Sequence, residues 1–253
     1  MARHCWRTSR EAGSVSFNSQ RVLIWWALAF LTIYGLTLLF LMHMLPPPSA
    51  TWSAERVAGF YTGHNTEIKL GATIASWTSA FMVPLTVVIG VQLYRHEKGG
   101  PPVWTLLAVA GGTLMSIFVV LPPVFWGVAA YTATRAPEIT ATMHELGVIT
   151  LITTDQYYIF MWVAVAVISL LPNTVVHSPF PRWFGYFTAW LAVMFETGAI
   201  AFVFRTGPFS WNGLFTFWIP FPLFGVWIAI VSVLLFRSIA AQADAPAAVR
   251  PSA

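Results

Sequence analysis

Long uninterrupted apolar runs constrain this chain more than any other feature of its sequence. They occupy approximately residues 22–45, 68–94, 103–131, 148–171, 183–204 and 214–236. Each run is long enough to cross a bilayer as an α-helix, which takes about 20 apolar residues. Polar residues do not alternate with apolar ones in these runs, as they would in a transmembrane β-strand. The sequence therefore predicts an all-α protein, a polytopic membrane helix bundle with about six transmembrane helices.

Charge and cysteine content narrow the class further. Only 9% of the residues are charged and 57% are hydrophobic, whereas about 25% of residues are charged in soluble domains. Cys5 is the single cysteine, so the chain has neither an intrachain disulfide nor a thiolate metal cluster. The net charge of +4 is not accompanied by the basic and aromatic pattern of nucleic-acid binding. We therefore expect the lipid bilayer, and not nucleic acid, to be the partner.

The distribution of Lys and Arg predicts the orientation. An even number of spans places both termini on one side of the membrane, and that side collects most of the basic residues. The few basic residues predicted on the opposite side are Arg56, Lys69, Arg135 and Arg205. Because Lys and Arg concentrate in cytoplasmic loops, both termini are predicted to be cytoplasmic. The expected location is the cell membrane, as a multi-pass protein.

The chain divides into three parts. Residues 1–21 are predicted to form a polar cytoplasmic tail, and residues 22–237 the six-span transmembrane domain. Residues 238–253 are rich in Ala and Pro and are predicted to be a disordered cytoplasmic tail. Between the first two spans, Ser53 has the character of an N-cap residue. It begins a stretch near 53–64 whose apolar residues recur at helical spacing, which predicts a short amphipathic helix on the outer surface.

Two carboxyl groups lie inside predicted spans, where an ionisable side chain faces a partner or a wet cavity. Counted at about 1.5 Å per residue, Glu196 and Asp155 reach a similar depth in the outer half of the membrane. Tyr158 and Trp162 share a helix face with Asp155, and Arg205 lies just beyond the end of span 5. We expect these five residues to surround an outward-facing cavity. The alternative is that the carboxyls are structural and pair with nearby basic side chains.

Small residues and prolines predict how spans 3, 5 and 6 pack. The helix face of Glu196 also carries the small residues Gly185, Ala189, Ala192 and Ala199. Since small residues allow close helix packing in lipid, Glu196 is predicted to point into the bundle. Pro122–Pro123 and the pair Pro220 and Pro222 are predicted to break spans 3 and 6 in their outer halves. Broken helices at membrane depth line cavities or are buried in protein.

Histidines near the outer membrane boundary are the candidate metal ligands. His64 and Glu67 are three residues apart, which resembles half of a carboxylate-bridged metal site. His43 lies in the last turn of span 1, and His144 precedes span 4. Boundary histidines are more often plain interfacial side chains, so no metal and no other cofactor is predicted. His64, Glu67 and His144 are the weak candidates.

Several motifs along the chain resemble those of known proteins. They read Pro46-Pro-Pro-Ser49, Trp52-Ser-Ala-Glu55, Val57-Ala-Gly-Phe-Tyr61, Pro122-Pro-Val-Phe-Trp126, Phe180-Pro-Arg-Trp-Phe-Gly-Tyr186 and Thr206-Gly-Pro-Phe-Ser-Trp-Asn-Gly-Leu214. As a set, they are similar to motifs of uncharacterised bacterial multi-span integral membrane proteins with no known activity. The resemblance extends from span 1 to span 6. It implies an integral membrane protein and transfers no reaction or ligand.

Three functions remain open from the sequence. The first is a non-enzymatic protein that binds or passes a small lipophilic or proton-linked solute through the outward-facing cavity. The second is an accessory or scaffold subunit that packs against a membrane-protein partner through its small-residue faces. The third is a membrane-embedded, metal-dependent enzyme that uses the outer histidines and carboxyls. The chain contains no Walker loop and no G-x-S-x-G motif, which argues against ATP coupling and serine hydrolase chemistry.

Overall fold

The computed structural model describes residues 2–132, 135–153, 155–172 and 174–245. Within these ranges every regular element is a helix. The α-helices are α1 (Ala2–Phe40), α2 (Ala54–Gly63), α3 (Asn65–Thr78), α4 (Met82–Tyr94), α5 (Val103–Tyr131), α6 (Pro137–Ile152), α7 (Asp155–Leu170), α8 (Arg182–Phe195) and α9 (Pro220–Asp244). Two 3₁₀ segments, Ser79–Phe81 and Glu196–Phe202, continue α3 and α8, and a π-helical turn, Leu214–Trp218, precedes α9.

Six helical segments are long and apolar enough to cross a membrane, so the predicted six-span bundle is confirmed. They are Ser16–Phe40, Asn65–Tyr94, Val103–Tyr131, Pro137–Leu170, Arg182–Phe202 and Leu214–Asp244. The second span combines α3 and α4, and the fourth combines α6 and α7. The protein is therefore a multi-pass, all-α membrane protein.

Several helix ends differ from the predicted ones. The first span ends at Phe40, earlier than predicted, because the chain turns at His43, whose φ of 55° is left-handed. The fourth span begins at Pro137 and not near residue 148, because proline suits a first helical position and the residues preceding 148 join the helix as α6. Helix α9 continues to Asp244. The prediction of a disordered tail is therefore wrong for residues 238–244. Residues 246–253 lie outside the described part.

The prolines of span 3 do not break it. Helix α5 is continuous from Val103 to Tyr131, with Pro122 and Pro123 inside it. Pro123 has no N–H to donate to the carbonyl of Val119, four residues earlier. The Tyr34 hydroxyl of α1 donates to that carbonyl instead, at 2.9 Å. The predicted break is therefore wrong, because a neighbouring span supplies the missing donor.

Buried glutamines join three helices at the side of the bundle where the first span begins and the last span ends, which we call the terminal face. Gln92 of α4 accepts from Gln242 of α9 at 3.0 Å and donates to Gln20 of α1 at 2.8 Å. The Arg95 guanidinium also donates to the side-chain amide oxygen of Gln92, at 2.8 Å. All three glutamines are at most 7% exposed, and mutual hydrogen bonds satisfy polar groups that burial would otherwise leave unpaired.

The opposite side, which we call the loop face, carries α2 and the connection between the last two spans. Ser53 accepts a hydrogen bond from the Arg56 N–H and so caps α2. Val57 and Tyr61 are the buried residues of α2, and Tyr61 reaches His144 of α6. Trp211 Nε1 donates to the Pro48 carbonyl at 2.6 Å, which ties the two long loops of this face together.

Candidate functional site

An apolar cavity of about 360 Å³ lies inside the bundle. Its wall combines the 31–36 segment of α1, parts of α5 to α8, and the first turns of α9. The first turns of α9 and the second half of the first span both lie in the half of the bundle that is nearer the loop face. The cavity therefore extends from the middle of the membrane toward the loop face. No charged side chain of the described residues lines it.

Aromatic side chains form the inner wall of the cavity. Tyr158, Phe195 and Phe224 line it, and their rings pack on Trp162 at centroid distances of 4.3, 4.7 and 6.5 Å. Trp162 and Trp227 are both fully buried and lie 5.9 Å apart on the terminal side of this wall. Edge-to-face ring contacts of this kind add to the energy of apolar burial. The cavity is thus closed toward the terminal face by packed tryptophans.

The cavity opens sideways, between α1 and α9. Its exposed lining residues are Thr32 and Leu36 on α1 and Gly225 on α9. The two helices meet nearer the terminal face, where the rings of Trp25 and Phe236 lie 5.2 Å apart. A Cβ added at Gly225, or at Gly35 of α1, would meet no atom within 4 Å. Glycines therefore keep a lateral opening clear at a depth where the surroundings are lipid.

Two hydroxyl groups belong to the cavity wall and make no hydrogen bond of normal length and angle among the described residues. They are the Tyr158 hydroxyl and the Thr216 hydroxyl, and both residues line the cavity. Both oxygens are covered by neighbouring atoms, so a bound molecule reaches them only after a small shift of those neighbours. Buried polar atoms without a partner are rare in native proteins, and a ligand or water is one reason for them.

Glu196 does not line this cavity. Its side chain is exposed, and the neighbouring Phe195 lines the wall in its place. The buried stripe of α8 is centred on Phe184, Thr188 and Leu191, and the helical period of 3.6 continues it to Phe195. Glu196 lies at the edge of that stripe, where the chain winds into a 3₁₀ segment. The prediction that Glu196 points into the bundle is therefore wrong.

The other predicted cavity residues are placed as follows. Tyr158 is 1% exposed and lines the cavity, and Trp162 lies directly behind it. Arg205 is exposed on the loop face and donates to a Glu145 carboxylate oxygen at 2.8 Å, so it takes no part in the cavity. The backbone of Asp155 begins α7, whereas its side chain lies outside the described part of the structure.

The weak metal candidates separate into two places. His64 and Glu67 are in contact, and His43 joins them. His144 lies elsewhere, buried between Tyr61, 3.0 Å from its Nδ1, and the Trp211 ring, 6.0 Å away. His43, His64 and Glu67 therefore form one cluster, and His144 is not part of it.

Sequence reasoning missed most of the cavity wall. The missed residues are Phe81, Met115, Val119, Leu151, Ile152, Phe195 and the lining residues of the segments 31–36 and 216–225. The available signal was the pair Gly35 and Gly225, which interrupt two otherwise bulky apolar spans. A glycine inside such a helix has no side chain to fill the space beside it.

No protein-family model matches the chain, and neither a curated protein nor a solved structure is significantly similar to it. A function therefore has to be argued from the geometry and chemistry of the site.

Proposed function

We propose that the protein binds a small lipophilic molecule, which enters the cavity from the bilayer between α1 and α9. The observation that carries this proposal is the apolar cavity with its lateral opening. Its volume of about 360 Å³ falls within the range of about 300–1,000 Å³ typical of small-molecule pockets. Aliphatic and aromatic side chains line it, and a ligand that buries apolar surface against them gains affinity from that burial.

The wall chemistry favours an uncharged ligand with one or two polar atoms. A charged ligand would lose its hydration without meeting a counter-ion, because the described lining contains no charged side chain. The unpartnered hydroxyls of Tyr158 and Thr216 offer hydrogen bonds to a carbonyl or hydroxyl group. With Glu196 outside the cavity, a proton-linked solute has less support than a neutral lipophile.

Binding is better supported than passage. Trp162 and Trp227 close the cavity toward the terminal face, and Trp227 Nε1 donates to the Thr188 hydroxyl at 2.9 Å. A solute that crossed the bundle would have to displace both fully buried rings. Together with the Lys and Arg distribution, which supports cytoplasmic termini, this arrangement favours a ligand site in the outer half of the cell membrane.

The test is to fill the lateral opening. The probe is 1-aminoanthracene, a neutral fluorescent aromatic amine, titrated into the full-length protein in nanodiscs with empty nanodiscs as the baseline. We expect saturable binding that weakens at least tenfold in Gly225→Phe and Gly35→Phe. A Cβ at either position meets no atom within 4 Å and neither glycine has a left-handed φ, so a phenylalanine there is expected to narrow the opening without backbone strain.

The matched control is Gly59→Phe in α2, because Gly59 is exposed, a Cβ there also meets no atom within 4 Å, and it does not line the cavity. This variant should bind the probe as the wild type does. Equal binding by the wild type and both opening variants, or no saturable binding by the wild type, would contradict the proposal.

A further inference from the structure

A cluster at the loop face brings two histidines and one carboxylate together from two separate segments of the chain. His43 follows the end of α1, His64 lies between α2 and α3, and Glu67 is in the first turn of α3. One carboxylate oxygen of Glu67 lies 2.9 Å from His43 Nε2 and 3.1 Å from His64 Nδ1. None of these residues lines the apolar cavity.

The backbone sets up this convergence. His43 has a left-handed φ of 55°, which turns the chain sharply after α1. Histidine is one of the non-glycine residues that occur in this region more often than most. His64 ends α2 and precedes α3, so the helical spacing of three residues places its ring beside Glu67. The ring centroids of His43 and His64 lie 4.5 Å apart, and both rings contact the same carboxylate oxygen of Glu67.

We propose that His43, His64 and Glu67 bind one divalent transition-metal ion of the Zn²⁺ class. One ligand atom from each residue lies within 4.8 Å of the other two. In a tetrahedral zinc site, bonds of about 2.0–2.2 Å place the ligand atoms roughly 3.4 Å apart. Small side-chain rotations are therefore enough to open the present hydrogen-bonded cluster around an ion.

The donor set selects the class of metal. Two imidazole nitrogens suit Zn²⁺, Co²⁺, Ni²⁺ and Cu²⁺, whereas Mg²⁺ and Ca²⁺ require mainly oxygen ligands. The three side chains are 38%, 40% and 54% exposed, so an ion reaches the cluster from water. Three protein ligands leave a fourth tetrahedral position for a water molecule, an arrangement found in zinc sites that keep an open position.

The ion would join α1 to the start of α3 at the loop face. Both elements already pack together, and α1 also forms one side of the lateral opening. The metal proposal does not depend on the lipophile proposal, because the two sites share no residue. Each fails on a different measurement.

The experiment uses tag-free, full-length protein in detergent that carries Cys5→Ser, so that no thiolate contributes ligands. After removal of metal with a chelator, Zn²⁺ is titrated by calorimetry and Co²⁺ by visible absorption. We expect about one ion per chain and a Co²⁺ spectrum of nitrogen and oxygen coordination. The midpoint of thermal unfolding should rise with Zn²⁺, because the ion binds the folded chain.

The ligand variants are Glu67→Gln, His43→Gln and His64→Gln, each of which should weaken Zn²⁺ binding at least tenfold and remove the Zn²⁺-dependent rise in unfolding temperature. The controls are Glu138→Gln, an exposed carboxylate of α6, and His177→Gln, which lies at the terminal face. Both should bind as the parent protein does. Far less than one ion per chain, or an unchanged affinity in the ligand variants, would overturn the proposal.

Discussion

Three tyrosines allow a matched test of the unpartnered hydroxyl in the cavity wall. Tyr34, Tyr61 and Tyr158 are 4%, 2% and 1% exposed, so a change to phenylalanine removes an equally buried hydroxyl from each. The Tyr34 hydroxyl donates to the Val119 carbonyl at 2.9 Å, and the Tyr61 hydroxyl lies 3.0 Å from His144 Nδ1. The Tyr158 hydroxyl makes no hydrogen bond of normal length and angle among the described residues, although the Trp162 indole N–H lies near it. The three variants therefore separate the hydrogen bond from the burial of the ring.

The expected effects have opposite signs. Tyr34→Phe leaves the Val119 carbonyl without a donor, since Pro123 has no N–H, and an orphaned buried group costs about 1–3 kcal/mol. Tyr61→Phe leaves His144 with both ring nitrogens unpartnered and should cost a similar amount. Tyr158→Phe removes a buried hydroxyl whose desolvation is not offset by a hydrogen bond of normal geometry. It should leave the free energy of unfolding unchanged or raise it by up to roughly 1–3 kcal/mol.

The assay is thermal unfolding of all three variants in one detergent, followed by tryptophan fluorescence. For a chain of this size, 1 kcal/mol shifts the unfolding midpoint by about 2–4 °C. Tyr34→Phe and Tyr61→Phe should melt below the wild type, and Tyr158→Phe at or above it. If Tyr158→Phe melts as low as the other two, its hydroxyl makes a hydrogen bond in the folded protein. The interpretation of that hydroxyl as a free contact for a ligand would then be refuted.

Two further predictions concern the terminal face. Burial, and to a smaller degree Arg95, lower the pKa of His96 to about 4 from its ordinary value of 6.5. Between pH 6.5 and 4 the unfolded chain therefore binds a proton at His96 that the folded chain does not. The free energy of unfolding should fall as the pH drops through this range. His96→Gln should flatten that dependence, measured by denaturation at several pH values in the same range. Gln92→Leu should lower the free energy of unfolding, measured by chemical denaturation, by about 1–3 kcal/mol for each buried polar group that loses its partner. The control Gln156→Leu, at an exposed position, should change it by no more than about 0.5 kcal/mol.

The architecture was predictable because a bilayer imposes a strong and simple requirement on sequence. A span needs a long apolar run, and all six runs correspond to a spanning segment. The errors lie at the ends and at interruptions, where tertiary partners decide the outcome. Pro122 and Pro123 read as a break, but Tyr34 on another span supplies the lost hydrogen bond. No local pattern in the sequence shows that this partner exists.

Part of the cluster of His43, His64 and Glu67 was also predictable from the sequence. The spacing of His64 and Glu67 places both on one helical face, and this pair is in contact in the structure. His43 joins them because α1 ends early, at Phe40, and the chain then turns through a left-handed residue. Residues 43 and 64 are too far apart in the chain for periodicity to relate them. His144 was associated with this group only by its depth, and packing places it against Tyr61 instead.

Most of the cavity wall could not be predicted from the hydrophobic pattern, for a reason that applies to membrane bundles in general. In a soluble protein the apolar face of a helix marks the core, because the other face meets water. In lipid both faces are apolar, so neither hydrophobicity nor its period separates a residue that lines a cavity from one that faces a lipid tail. Phe195 and the exposed Val193 of α8 look alike in sequence, and only packing assigns the first to the cavity wall. Glu196 was predicted to be a site residue because it is ionisable and lies inside a span. The cavity next to it is instead defined by the space that apolar side chains leave unfilled.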